Sequence, residues 1–166
     1  MSKIRKIRIE ELTPQSFQPY GRVIDLSSNP EKTIGGEGWQ CWFPIQIVEG
    51  IRRLNIGITF SKKQDVVVTS MERHPNNEEI LFAVQHALVQ PMGLPDDREG
   101  KDTRPDPNTV RAFLLRPGQG IIMKKGAWHS PAIALEQDTH YYFFADSEGS
   151  YPWMEFQGDV SIIAEL

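Results

Sequence analysis

The chain has 166 residues, 39% of them hydrophobic and 24% charged, and a formal net charge of -4. That length suits one domain burying roughly two-thirds of its unfolded surface, and that balance excludes a disordered chain. Mild acidity without a basic stripe speaks against a nucleic-acid partner, and no apolar run nears the ~20 residues of a membrane-spanning helix.

The first ten positions alternate isoleucine with charge and lack the apolar block of a secretion signal, so a cytoplasmic location is expected. Thr13 as cap and Pro14 in the first turn predict a short helix running to Phe17. Tyr20-Gly21 then turns the chain into a strand over Arg22, Val23 and Ile24. Residues 29–38, rich in Gly, Pro and Glu, read as loop. Cys41 is the single cysteine, which fits a reducing compartment; beside Trp42 and Phe43 it reads as a small core residue. Leu54, Ile56, Ile58 and Phe60 alternate with smaller or polar residues, the pattern of a strand with one buried face. Val66, Val67 and Val68 form another strand leading into Glu72-Arg73-His74-Pro75. Residues 79–89 give one long strand or two short ones. Residues 91–108 hold Pro91, Pro95, Pro105 and Pro107 among many charges and read as an exposed, solvated insertion. Strands resume over residues 110–115 and 120–123, and residues 139–145 form a strongly aromatic one. Thirteen glycines and 12 prolines punctuate these short runs along the whole length, which points to an all-β sandwich or barrel. No linker separates two cores, so residues 1–166 are read as one domain.

The chain has four histidines, His74, His86, His129 and His140. On a regular strand Glu72 and His74 share a face while Arg73 takes the other. The stretch opening with Pro75 allows a turn that returns Glu79 toward His74. Carboxylates and imidazoles converging in a barrel can hold a divalent cation through nitrogen and oxygen. Without one they can act as general acid and base.

These residues resemble the two motifs of cupins. Gly118, Lys124 in the usual proline position, Gly126 and His129 follow the second motif. Glu72, His74 and Glu79 follow the first in a degenerate form, with Val66 and His86 where its glycines stand. The closer resemblance is to the ureidoglycolate lyase family. It is carried by Phe17-Gln18-Pro19-Tyr20-Gly21-Arg22-Val23-Ile24 and by Glu72-Arg73-His74-Pro75. Arg111-Ala112-Phe113, Gly118-Gln119-Gly120, Trp128-His129, Pro131 and Asp146 extend it through the second half. This chain departs from the family pattern at Glu79, where Gln is usual, at His86, where Gly is usual, and at Ser130, where a second His is common.

The resemblance implies a cupin-type double-stranded β-helix, a jelly-roll barrel with a short N-terminal helix. It also implies cleavage of (S)-ureidoglycolate to glyoxylate and urea, by carbon–nitrogen elimination within purine-derived nitrogen use. Glu72, His74 and His129 are the expected catalytic residues. Glu72, His74, Glu79 and His129 are the expected ligands of one divalent metal, nickel, manganese or zinc, with no other cofactor. Arg73, Lys124 and Tyr142 are expected to contact the small acidic substrate. In the last aromatic strand His140, Tyr142, Phe144 and Asp146 share one face, and Tyr141, Phe143 and Ala145 the other; one of the two lines the cavity. Apolar segments outside the barrel and the family resemblance suggest a symmetric homodimer. The rival readings are a related cupin acting on another small hydroxy acid or sugar acid, and a non-catalytic cupin that binds a small acid.

Overall fold

The computed structural model describes residues 3–25, 32–48, 53–96, 103–146 and 153–166. Two sheets carry the fold. The first runs β12-β9-β10-β1-β16-β6, with β13 also on β9. Its strands are β1 (Lys3–Glu11), β6 (Val66–Val68), β9 (Leu88–Pro95), β10 (Arg111–Leu115), β12 (Ala127–His129), β13 (Ile133–Ala134) and β16 (Val160–Glu165). The second runs β2-β11-β8-β14-β5. Its strands are β2 (Gly21–Ile24), β5 (Leu54–Ser61), β8 (Glu79–Ala83), β11 (Gly120–Met123) and β14 (Thr139–Asp146). Two small pairs stand apart: β3 (Lys32–Gly36) with β4 (Trp39–Phe43), and β7 (Ser70–Met71) with β15 (Met154–Glu155).

The two sheets close on one core. Leu88, Met92, Phe113 and Leu115 from the first sheet meet Val23, Leu81, Ile121 and Tyr141 from the second. Burying such side chains at about 25 cal/mol per Å² is the main force holding a barrel of this kind together. The other face of the first sheet is also apolar: Val68, Met71, Val110, Trp128, Phe156 and Ile162 form a cluster there. The fold is the expected all-β, cupin-type barrel.

The short helix α1 (Pro14–Phe17) is present with Thr13 as its cap: the Thr13 Oγ1 accepts from the Ser16 N–H at 3.0 Å. It buries Phe17 completely, edge-on to Phe113 with ring centres 5.1 Å apart. No helix among the described residues is long and apolar enough to cross a membrane.

The isoleucine–charge alternation at the start, to which no element was assigned, is a strand, β1, which pairs in parallel with both β10 and β16. Four local expectations are corrected. The expected loop at 29–38 contains β3 of a hairpin, while residues 29–31 lie outside the described ones. Cys41 sits half-buried in that hairpin and not in the core. The expected exposed insertion starts later than residue 91: Pro91 and Met92 are buried within β9, and Pro107 is buried in a 3-10 turn at Pro107–Thr109. Residues 97–102 of it lie outside the described ones. The largest correction concerns β5. Its alternation is real, but Leu54, Ile56, Ile58 and Phe60 are 48, 67, 60 and 57% exposed. The face turned inward carries Asn55, Gly57 and Thr59 instead, and these line a cavity.

Candidate active site

The cavity opens between the sheets and measures about 470 Å³. Its polar end is built by one backbone pairing. Glu72 donates its N–H to the His129 carbonyl at 2.9 Å, and His129 returns its N–H to the Glu72 carbonyl at 2.9 Å. Two residues exchanging both hydrogen bonds face each other directly across an antiparallel pair. The pairing continues at the next turn, where the Gly126 N–H donates to the His74 carbonyl at 2.9 Å. Gly126 has φ +73, and a Cβ there would lie 2.8 Å from the Asp96 carbonyl oxygen. Only glycine meets both demands cheaply, so it sets the turn that starts β12. These contacts join two segments remote along the chain.

The side chains follow. Donor atoms of Glu72, His74 and His129 all lie within 4.8 Å of one another. His74 and His129 rings are tilted by 31° with centres 5.2 Å apart. Glu79 opens β8 and touches both imidazoles through one oxygen, 2.9 Å from the His74 Nε2 and 3.5 Å from the His129 Nε2. The structure thus brings together Glu72, His74, Glu79 and His129.

Their surroundings divide their charge states. Burial pushes the Glu79 carboxyl up, but hydrogen bonds and charge from His129 and His74 outweigh it and hold the group at about 2. Glu79 is therefore an anion at any working pH. Burial also pushes Glu72 up, and the two imidazoles only partly offset this. Burial alone would lower His129; the bond to Glu79 and its charge outweigh burial and raise the imidazole above its ordinary range. The His129 Nδ1 lies 3.0 Å from the Ala127 carbonyl, so Nδ1 carries a proton and Nε2 is turned to the carboxylates.

The residues fit a divalent cation. Two imidazoles and two carboxylates are the nitrogen–oxygen set that such ions take. The His129 Nε2 is buried and faces the Glu79 carboxylate 3.5 Å away, and its other nitrogen is fixed by a backbone carbonyl, as in ligating histidines. Glu72, His74 and His129 would hold the ion, with the Glu79 carboxylate against both imidazoles.

Arg73, Lys124 and Tyr142 do not reach the cavity, and the expected substrate contacts are corrected. Arg73 takes the opposite face from Glu72 and His74, as strand alternation requires. It is 1% exposed, lies 4.9 Å from the centre of the Trp128 ring and donates to the Asp96 carbonyl. Lys124 donates to the Gln18 carbonyl at 2.6 Å, outside the barrel. Tyr142 lies on the outward face of β14 and is 40% exposed. The inward face is the odd one, with Tyr141, Phe143 and Ala145. Tyr141 is 4% exposed, its hydroxyl accepts from the Ala132 N–H at 3.3 Å, and burial holds its phenol protonated. Gln90 also lines the cavity. Neither was expected. Tyr141 was one parity choice away, and Gln90 was signalled by a lone amide within an apolar run.

Fold and site together define a cupin-type barrel with a histidine–carboxylate cavity. A family model described as ureidoglycolate lyase matches residues 4–157. The chain belongs to the ureidoglycolate lyase family. Similar proteins include the ureidoglycolate lyase of Burkholderia cepacia, 30% identical, with 92% of this chain and 85% of that one covered. Those of Pseudomonas aeruginosa and Brucella ovis are each 26% identical, covering 89% and 87% of this chain and 86% and 93% of theirs. Among solved structures, RmlC from Streptococcus suis aligns with a TM-score of 0.47 at 13% identity, over 85% of this chain and 73% of that one. A dTDP-4-dehydrorhamnose 3,5-epimerase from Elizabethkingia anophelis aligns at 0.45 and 9%, over 86% and 91%.

Proposed function

We propose that the protein is a lyase that cleaves ureidoglycolate to glyoxylate and urea in this cavity. The observation that carries the reading is the reciprocal Glu72–His129 pairing, which sets a carboxyl raised by burial beside an imidazole held charged by Glu79. The substrate bears a hydroxyl and a urea nitrogen on one carbon. Glu72 takes the hydroxyl proton. The oxygen lone pair becomes the new carbon–oxygen π bond, and the carbon–nitrogen bond breaks. His129 gives its proton to the departing urea nitrogen. Each transfer by a positioned group contributes about 100- to 10,000-fold. A carboxyl with a raised pKa is the stronger base, and a charged imidazole is a ready acid. Glu79 stays ionised throughout and, with His74, fixes the orientation of the acid. A divalent cation held by Glu72, His74 and His129 would occupy the Glu72 oxygen and the His129 Nε2, and would then supply stabilisation of negative charge on a substrate oxygen in place of these two proton transfers.

The test is release of urea and glyoxylate from ureidoglycolate by the purified protein, with and without added nickel, manganese or zinc. We expect turnover in the wild type and a loss of at least about 100-fold in His74→Ala with the circular dichroism unchanged. Full activity in that variant rejects the site. Tight binding of small acids without turnover under every metal condition would instead assign a binding role.

A further inference from the structure

Strand β9 turns Leu88, Gln90 and Met92 to the barrel interior, where Leu88 and Met92 belong to the core. Gln90 is 0% exposed and lines the cavity. Its Nε2 donates to the Ser130 carbonyl at 2.7 Å and to the Pro91 carbonyl at 3.0 Å. Both partners accept only, so these bonds settle which end of the amide is nitrogen.

The nitrogen has a structural reason. On this side of β9 the ladder passes from β12, ending at Met92↔His129, to β13, starting at Val89↔Ile133. Pro91 lies in the gap and has no N–H to offer, and the Gln90 amide ties Ser130 across it. That duty is met by Nε2 alone. It leaves the oxygen unexplained: Oε1 is buried with no hydrogen-bond partner among the described residues. A buried acceptor is costly to leave unpaired. Ser130 links Gln90 directly to His129, its neighbour along the chain.

We propose that the Gln90 Oε1 is a recognition point for an N–H donor of the ligand, and that the class it selects is a ureido or primary-amide group. This rests on the reading of the cavity as the site of a ureido acid. An acceptor oxygen repels a carboxylate and gains nothing from a methyl group, so the acid end of the ligand lies away from Gln90. The nitrogen end is then delivered beside His129, the group assigned to protonate it.

The experiment compares two unreactive ligands by calorimetry. Ureidoacetate carries the terminal amine; N-acetylglycine has a methyl in its place. We expect the wild type to bind ureidoacetate at least about tenfold more tightly. Gln90→Met should lose that preference by weakening ureidoacetate alone. No preference in the wild type, its survival in Gln90→Met, or equal weakening of both ligands overturns the inference, the last marking a purely structural amide. Should the variant not fold, the Gln90 Cδ carbon resonance of the wild type decides. It should move downfield with ureidoacetate and stay with N-acetylglycine; equal movement overturns the inference. Turnover of ureidoglycolate is scored separately. Preference without turnover keeps amide recognition and sinks the lyase reading, and turnover without preference does the reverse.

Discussion

Single side chains in this protein owe their charge to one or two neighbours. Glu10 shows it at the surface. Its carboxylate meets the Arg111 guanidinium through two nitrogens, and that bond lowers the carboxyl below its ordinary range. A carboxyl depressed in the folded state stabilises above its unfolded pKa, and the contribution is lost as pH falls through the folded value. Both groups are about one-third exposed, so the gain is that of a surface pair, about 0.2–1 kcal/mol. Glu10→Gln should therefore lower stability by that amount at pH 7 and by progressively less as pH falls through the folded value of Glu10. Denaturant unfolding of both proteins along a falling pH series checks it. At the candidate site, alternation makes the shared face of Glu72 and His74 legible in the sequence, while the grouping of Glu79 and His129 with them came from the resemblance to the cupin motifs. Tyr141 was not legible, because β14 is aromatic on both faces and its sequence does not say which is inside. Arg73 was misplaced by its charge: the residue next to two site residues on a strand points away from them.

Elements repeat this lesson. In β5 the period of two was read correctly and the inside was assigned to the wrong face. Alternation reports that two faces differ; it does not report which one meets the interior. Here the barrel interior at this edge is a cavity lined in part by polar side chains, so Asn55, Gly57 and Thr59 face it and the isoleucines face out. Gly57 serves the same wall: a Cβ there would lie 2.1 Å from the Phe143 ring. Strand β9 hid behind Pro91, since proline normally argues against an inner strand; the break between β12 and β13 is what tolerates it. The segment carrying Glu72 and His74 is held to the end of β9 by Arg73, through Asp96 and the Trp128 ring. Removing a buried, paired charge costs about 3–5 kcal/mol because its partners stay behind unpaired. Arg73→Ala should lose that much in denaturant unfolding. Arg73→Lys should recover little, because an ammonium lacks the planar fork that stacks on Trp128. Wild-type stability in either variant would refute this account.

At the scale of the molecule, the outer face of the five-stranded sheet is apolar where water would be expected. Ile56, Ile58, Phe60 and Tyr142 are exposed there, and Trp42, Phe43, Ile80, Phe82 and Phe144 line an apolar groove of about 330 Å³ beside them. Five strands spaced ~4.8 Å apart make a face about 20 Å wide, running about 25 Å along β5 and β14, and the adjoining groove extends it toward the roughly 800 Å² that each partner buries in a standard interface. We propose a second copy of the chain as the occupant, since a two-fold axis would set this face against itself. We expect a dimer by light scattering and a monomer for Ile58→Glu; a monomeric wild type overturns the expectation. Connectivity has its own effect on how the chain is made. Strand β1 is synthesised first, yet one of its two partners is β16, which begins at Val160. At about 5–20 residues per second, roughly ten to thirty seconds separate their translation. Throughout that interval one edge of Lys3–Glu11 has no mate, and its alternating lysines and arginines supply the repulsion that keeps neighbouring nascent chains from pairing with it.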